Sequence, residues 1–166
     1  MKIEILPNKG FKLNSDIIHW NDDRKSVRHN LKNQHKEDDN VIELSQFFDG
    51  DTSHNIDQKR DVYKDINGTE NFFFLNYDKD NLLSELELHY GIKVMIYNIK
   101  LEFEKDINIC LKQLSSKGYE FKEIEQRNYL FEKLKITIAD STSIGGDGTE
   151  LSYLYSGRTI EHLIEN

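Results

Sequence analysis

The fold of this chain is decided by the stretch Asn71–Gly91, which reads Asn-Phe-Phe-Phe-Leu-Asn-Tyr-Asp-Lys-Asp-Asn-Leu-Leu-Ser-Glu-Leu-Glu-Leu-His-Tyr-Gly. Two runs of aromatic or alternating apolar residues flank four polar turn formers, which is typical of an antiparallel β-hairpin. The three consecutive phenylalanines leave the first strand without a polar face. We therefore expect that strand in the middle of a sheet, covered at least partly on both sides.

The second strand of the hairpin has two different faces, because successive side chains of a strand point to opposite sides of the sheet. The inward face is predicted to hold Leu82, Ser84, Leu86 and Leu88, and the outward face Leu83, Glu85, Glu87 and His89. The sequence thus places two carboxylates and an imidazole on one side of this strand.

The composition indicates a folded protein with an apolar interior. Hydrophobic residues make up 37% of the 166 residues and there is a single Pro, which argues against global disorder. The only cysteine, Cys110, excludes an internal disulfide and a cysteine-based zinc cluster, and this favours a reducing cytoplasm. Glu4 interrupts the apolar run that a signal peptide would need, and no stretch approaches the roughly 18 apolar residues of a membrane span.

Two segments have helical character and most of the remaining runs are β-like. Asn21–Asp23 offer N-cap side chains to a helix over residues 24–33, and Glu104–Lys117 carries apolar residues at helical spacing before Gly118. We predict an α+β fold, an antiparallel sheet of meander hairpins with two main helices on one face. The chain is expected to form a single domain, 1–166.

Parts of the sequence repeat loosely. The segment Ser26–Lys32, within the first predicted helix, resembles Asp106–Lys112, and Glu85–Gly91 resembles Glu150–Gly157. A duplicated helix-plus-meander unit would explain this order, with sub-repeats over 1–97 and 98–166.

The net charge of −8 is unevenly distributed. Residues 1–36 carry a net charge of +4 and the remainder −12, with an acidic stretch free of Lys and Arg between Lys36 and Lys59. Such a surface repels nucleic acid and attracts a basic protein. Acidic runs also serve as solvated loops that keep a protein soluble, which is the alternative interpretation.

The best candidate for catalysis is the outward stripe Glu85, Glu87 and His89. Alternate strand positions have Cα atoms roughly 6 to 7 Å apart, which suits an acid/base pair with an imidazole, or a metal held by two carboxylates. Charged residues on the outer face of an antiparallel strand also occur without any chemistry. The glycine-rich segment Ser143–Thr149 lacks the spacing of phosphate-binding loops. We therefore predict no catalytic residue, no metal and no cofactor. The rival hypotheses are a small enzyme or metal-binding protein that uses Glu85, Glu87 and His89, and a general ligand or protein interaction module.

Several segments resemble the immunity proteins of bacterial polymorphic and contact-dependent toxin systems. They are the opening Met1–Phe11, the central Phe72–Asp78 with Leu82–Glu87, and the loop Gly145–Gly148. The resemblance implies a non-enzymatic inhibitor that binds the C-terminal effector domain of a cognate toxin, often a nuclease, in the cytoplasm of the producing cell. Many such effectors are basic, so an acidic surface would obstruct their phosphate-binding groove and speed association.

We expect the toxin to contact the acidic run, two aromatic anchors within it and the outer face of the central hairpin. The predicted toxin-binding residues are Glu37, Asp38, Asp39, Glu43, Phe47, Phe48, Asp49, Asp51, Asp57, Glu85 and Glu87. Core packing of the two phenylalanines is the competing interpretation. The basic helix from Arg24 to Lys32 is the competing surface for an acidic toxin.

Overall fold

The computed structural model describes residues 1–164, which form two helices of α type, fourteen strands and several short 3-10 turns. The helices are α1 (Arg24–Asn30) and α2 (Ile107–Ser115). The strands are β1 (Lys2–Leu6), β2 (Gly10–Leu13), β3 (Asp16–His19), β4 (Lys36–Glu37), β5 (Asn40–Ile42), β6 (Ile56–Lys64), β7 (Phe72–Tyr77), β8 (Leu83–Tyr90), β9 (Lys93–Ile96), β10 (Ile99–Glu102), β11 (Lys122–Glu125), β12 (Asn128–Phe131), β13 (Ile136–Asp140) and β14 (Leu151–Gly157).

The strands form two sheets. A five-stranded sheet has the order β10-β9-β1-β2-β3, and a nine-stranded sheet has the order β11-β12-β13-β14-β8-β7-β6-β4, with β5 also paired to β6. Every pairing is antiparallel except that of β1 with β9, among the residues described. The predicted α+β fold of antiparallel meander hairpins is confirmed.

The order of elements is similar in the two halves of the chain. Each half runs through a hairpin (β1–β2 or β9–β10), a helix, and a three-stranded meander (β6–β7–β8 or β12–β13–β14). The two helix N-caps make the same contact, since Asp23 forms a β-bridge with Leu82 just before β8, and Asp106 forms one with Glu150 just before β14. The second copy therefore begins at β9, and a division between residues 97 and 98 falls inside the β9–β10 hairpin.

The helices are shorter than the sequence pattern predicted. Asp23 and Asp106 accept hydrogen bonds from backbone N–H groups of the first turn, so α2 begins at Ile107 and not at Glu104. Helix α1 ends at Asn30 because Lys32 and Asn33 adopt left-handed backbone angles, with φ of 58° and 55°. Neither helix has the length and apolar composition to cross a lipid bilayer, within the part of the chain that is described.

The central hairpin lies where it was predicted. Strand β7 pairs with β6 on one side and β8 on the other, and its buried residues Phe73 and Leu75 alternate with half-buried Phe72 and Phe74. The predicted outward position of Leu83 is wrong, since this residue is fully buried. The register shifts between the pairs Asn76–Glu85 and Tyr77–Leu83. The extra residue in β8 reverses the face of the sheet on which the side chains at the start of this strand lie.

One hydrophobic cluster joins both sheets and both helices. Apolar side chains of β1, β7, β8, β9 and β13 meet in it, together with the buried stripe of α2, which comprises Ile107, Cys110, Leu111 and Leu114. Burial raises the pKa of the Cys110 thiol, as expected for a cysteine that packs as a small apolar residue.

Candidate functional site

The acidic stretch of the sequence forms a hairpin extension at one end of the nine-stranded sheet. We call residues 37–58 the acidic arm. Strand β5 pairs in register with the first residues of β6, with Asn40 opposite Gln58 and Ile42 opposite Ile56. Between these strands the chain makes two 3-10 turns, Ser45–Phe47 and Thr52–His54.

The apolar run from Val41 to Phe48 is extended only as far as Ile42. The side-chain Oδ1 of Asn55 accepts hydrogen bonds from the backbone N–H groups of Leu44 (2.9 Å) and Ser45 (3.2 Å). Because this side chain takes the place of a strand partner, the backbone bends into the Ser45–Phe47 turn.

The acidic arm carries a large exposed apolar surface. Five of the eleven exposed large hydrophobic residues of the described chain lie within it, which is far more than its share of the sequence. Phe47 has 73% of its surface exposed and Phe48 has 44%, so neither packs into the core. The other three are Val41, Ile42 and Ile56. Clustered exposed apolar residues of this kind mark protein contacts more often than isolated ones do.

Carboxylates are interspersed with these apolar residues along the acidic arm. Glu43, Asp49 and Asp57 are exposed and form no ion pair with any residue described. Asp51 accepts a hydrogen bond from the backbone of Ser53 at 2.8 Å and lies 3.8 Å from Nε2 of His54. The His54 ring stacks on Phe48 with 4.0 Å between ring centroids, which fixes the tip of the arm.

The root of the acidic arm is attached to α1 by ion pairs. Arg24 donates from Nη1 and Nη2 to the two carboxylate oxygens of Asp39, at 2.8 and 2.6 Å. Arg28 donates from Nη2 to Glu37 at 2.6 Å. Both arginines also bind the fully buried Asp61 of β6. Two of the predicted toxin-binding carboxylates, Glu37 and Asp39, are therefore already neutralised within the protein.

Asp61 remains ionised despite its burial. Burial alone would raise its pKa, but hydrogen bonds from Arg28 and Arg24 outweigh it and hold the pKa below the usual value. The guanidinium of Arg24 also lies over the ring of Tyr77, 4.9 Å from its centroid. The basic helix is thus not a free cationic surface at these two positions, because its arginines face carboxylates inside the fold.

The predicted carboxylates of the central hairpin form a second polar group. Oε1 of Glu87 accepts hydrogen bonds from Arg60 (3.0 Å) and Asn76 (2.6 Å), and Oε2 accepts one from Tyr153 (3.0 Å). Glu85 accepts hydrogen bonds from Asn76 at 2.9 Å and from Tyr155 at 3.3 Å. These side chains link β6, β7, β8 and β14 across the outer face of the sheet. Their hydrogen-bonding capacity is largely used internally.

His89 is separated from this network by its surroundings. It lies at a second register shift of β8, between the pairs Phe72–Tyr90 and Phe73–Leu88. Its ring packs against those of Phe72, Phe74 and Tyr153, with centroids 4.9 to 5.4 Å away. Its Nε2 is buried without a hydrogen-bond partner among the described residues, and burial lowers its pKa. In the described chain no three metal-ligating side chains cluster into a metal site.

The sequence analysis did not predict two sets of interactions. The first is the pairing of Arg24 and Arg28 with Asp61, and the second is the hydrogen bonding of Tyr153 and Tyr155 to Glu87 and Glu85. A signal for the first exists, because Arg24 and Arg28 are one helical turn apart and share the face of Val27 and Leu31. The second depends on the pairing of β8 with β14, sixty residues apart in sequence order, which no local pattern reveals.

Comparison of the chain with models of protein families, with curated proteins and with solved structures finds no match.

Proposed function

We propose that this protein binds and neutralises a cognate bacterial toxin effector domain, a basic nuclease, through its acidic arm. The observation that carries the proposal is the exposure of Phe47 and Phe48 among unpaired carboxylates. Aromatic side chains encircled by polar residues are the usual energetic centre of a protein interface. The proposal needs no cofactor and no catalytic residue, and it assigns the protein to the cytoplasm of the producing cell.

Charge supports a basic partner. The acidic arm has no Lys or Arg at any position from residue 37 to residue 58. Within it, Glu43, Asp49 and Asp57 are exposed and unpaired among the described residues. A basic nuclease approaching this surface would be steered toward it, and its phosphate-binding groove would be occupied by carboxylates that mimic the charge of the phosphates.

The ion pairs at the root of the arm support a preorganised binding surface. Arg24 forms an ion pair with Asp39 and Arg28 forms one with Glu37. The buried Asp61 forms ion pairs with both arginines. A surface that is already ordered before the partner arrives loses less conformational entropy on binding. We therefore assign Glu37 and Asp39 to positioning the arm, and the contact itself to the residues beyond them.

The outer-face residues Glu85 and Glu87 have a smaller part in this proposal. Both are half-buried and hydrogen-bonded to neighbouring side chains. A partner would have to break these bonds to use their charge, so we place them at the edge of the interface.

The proposal predicts that a toxin effector domain is encoded beside this protein, and the test is its neutralisation. The C-terminal domain of the upstream reading frame is induced in a bacterial host with and without this chain, and growth is recorded. Wild-type chain is expected to restore growth, and Phe47→Ala with Phe48→Ala to restore it poorly at equal expression. A matched control is Phe121→Ala, since Phe121 is also 41% exposed but lies outside the arm. Failure of the wild-type chain to protect against that domain contradicts the proposal.

A further inference from the structure

Strand β5 differs from the other sheet edges in its side chains. The edges of the two sheets are β3, β10, β4, β11 and, in the acidic arm, β5. Natural proteins protect exposed edges with charged residues, which discourage the addition of another strand. In the described chain each other edge carries such residues, namely Asp16 in β3, Lys100 and Glu102 in β10, Lys36 and Glu37 in β4, and Lys122, Glu123 and Glu125 in β11. Strand β5 reads Asn-Val-Ile and has none.

The duplication provides an internal comparison. The two ends of the nine-stranded sheet are β11 in the second half and β4 with β5 in the first. Strand β11 is charged at three of its four positions, whereas all three residues of β5 are uncharged and exposed. At this edge the second half is therefore charged along its whole strand, whereas in the first half the charged residues stop at Asp39 and the β5 part of the edge has none.

The backbone of β5 points its free groups outward at Val41. The N–H of Asp38 donates to the carbonyl of Arg60 at 2.9 Å, and the same register continues through the pairs Asn40–Gln58 and Ile42–Ile56. Hydrogen-bonded pairs alternate along an antiparallel ladder, so the N–H and C=O of Val41 face away from β6. No strand of the described residues pairs with that side of β5.

We propose that β5 is a docking edge for an extended, basic segment of the partner, which adds to the sheet as a further strand beside Val41. This deepens the proposed function and rests on it for the identity of the partner. The added strand would gain backbone hydrogen bonds at Val41, and its apolar residues would contact the exposed side chains of Val41 and Ile42. Its basic residues would face Glu43 and the carboxylates around it.

Charge argues against a second copy of this chain as the occupant. Antiparallel pairing of β5 with β5 about Val41 would place Glu43 of each copy opposite Asp39 of the other, and Arg24 is already paired with Asp39, so no cation would neutralise Glu43. Like charges across adjacent strands are destabilising. A lysine-rich strand gives the opposite result at the same positions.

The probe is a short peptide of alternating lysine and valine, titrated into isotope-labelled protein while backbone amide resonances are recorded. We expect the Val41 amide to shift strongly and its exchange with solvent to slow. Val41→Pro removes the outward N–H without removing a bond to β6, and should weaken peptide binding about tenfold, the cost of a lost hydrogen bond and a steric clash. The matched control Val41→Thr keeps the N–H and a β-branched side chain, and should bind within about twofold of wild type.

Three results would overturn the docking edge: no shift at Val41, equal binding by Val41→Pro, or equal binding of a peptide in which glutamate replaces lysine. Neutralisation of the effector separates this inference from the proposed function. Full protection by a folded Val41→Pro variant removes the docking edge and leaves the function standing. If the peptide binds at Val41 but the chain protects against no effector, the proposed function is contradicted and the docking edge stands.

Discussion

Arg24 and Asp61 form a buried ion pair, in which Nε and Nη2 of Arg24 donate to Oδ1 of Asp61 at 3.1 and 2.7 Å. Replacing Asp61 by Ala removes the buried partner of both arginines and leaves Arg24 and Arg28 only the more exposed carboxylates of Asp39 and Glu37. Breaking a buried pair from one side costs about 3 to 5 kcal/mol, so urea unfolding should show a loss of that size. The control Asp39→Ala removes a partly exposed partner of the same arginine and should cost about 1 kcal/mol. Equal losses for the two variants would contradict the role of Asp61.

Asp61 also predicts how stability depends on acid. Its folded pKa lies below the value near 3.8 of the unfolded chain, so the unfolded state takes up the proton first as the pH falls. The stability that Asp61 contributes is complete above about pH 4 and is lost as the pH falls from there through the folded pKa. The midpoint of urea unfolding should therefore decrease below pH 4 in wild type. In Asp61→Asn this acid decrease should be shallower, and an unchanged slope would contradict the prediction.

His89 should give a separate pH effect near neutrality. Its folded pKa is lowered from 6.5 by burial, so below about pH 6.5 the unfolded chain binds a proton that the folded chain does not. Stability is therefore lost as the pH falls from about 6.5 toward the folded pKa. His89→Phe should reduce the loss between pH 7 and pH 5, with the remainder due to His35, whose pKa is also lowered by burial. An unchanged slope in His89→Phe would contradict the prediction.

Glu87 and Tyr153 test the polar network on the outer face. The Tyr153 hydroxyl donates to Oε2 of Glu87 at 3.0 Å, and burial with the nearby Glu87 charge raises the pKa of this phenol. Glu87→Gln and Tyr153→Phe should each lower the free energy of unfolding by about 1 to 2 kcal/mol. In a double-mutant cycle the two losses should be coupled by at least about 0.5 kcal/mol. Additive losses would show that this hydrogen bond contributes nothing of its own.

The fold was largely predictable because its signals are local. Three consecutive phenylalanines identified the central strand β7, and the apolar spacing around Cys110 identified α2. The position of Leu83 could not be predicted, since it depends on a register shift against Tyr77 of the neighbouring strand. A bulge of this kind reverses which face a residue occupies without changing the composition of the strand.

The site was predictable in its charge and less so in its geometry. The absence of Lys and Arg from residue 37 to residue 58 is visible in the sequence, and the structure leaves Glu43 and Asp57 exposed there. The internal use of Glu37 and Asp39 could not be predicted, because their partners on α1 meet them only after the acidic arm folds back along β6. Long-range ion pairs of this type depend on tertiary contacts that leave no periodic signal.

The proposed function requires the acidic arm to guide a basic effector domain to its binding site. The most direct test is to measure the association rate constant with that domain by stopped flow over a range of salt concentrations. The variant Glu43→Lys with Asp57→Lys changes two unpaired arm carboxylates, and Glu120→Lys with Asp147→Lys makes the same change in net charge at two exposed positions outside the arm. The arm variant should associate at least about tenfold more slowly with a flatter salt dependence, while the control stays within about threefold of wild type. Equal rates for the two variants would contradict a steering role of the acidic arm.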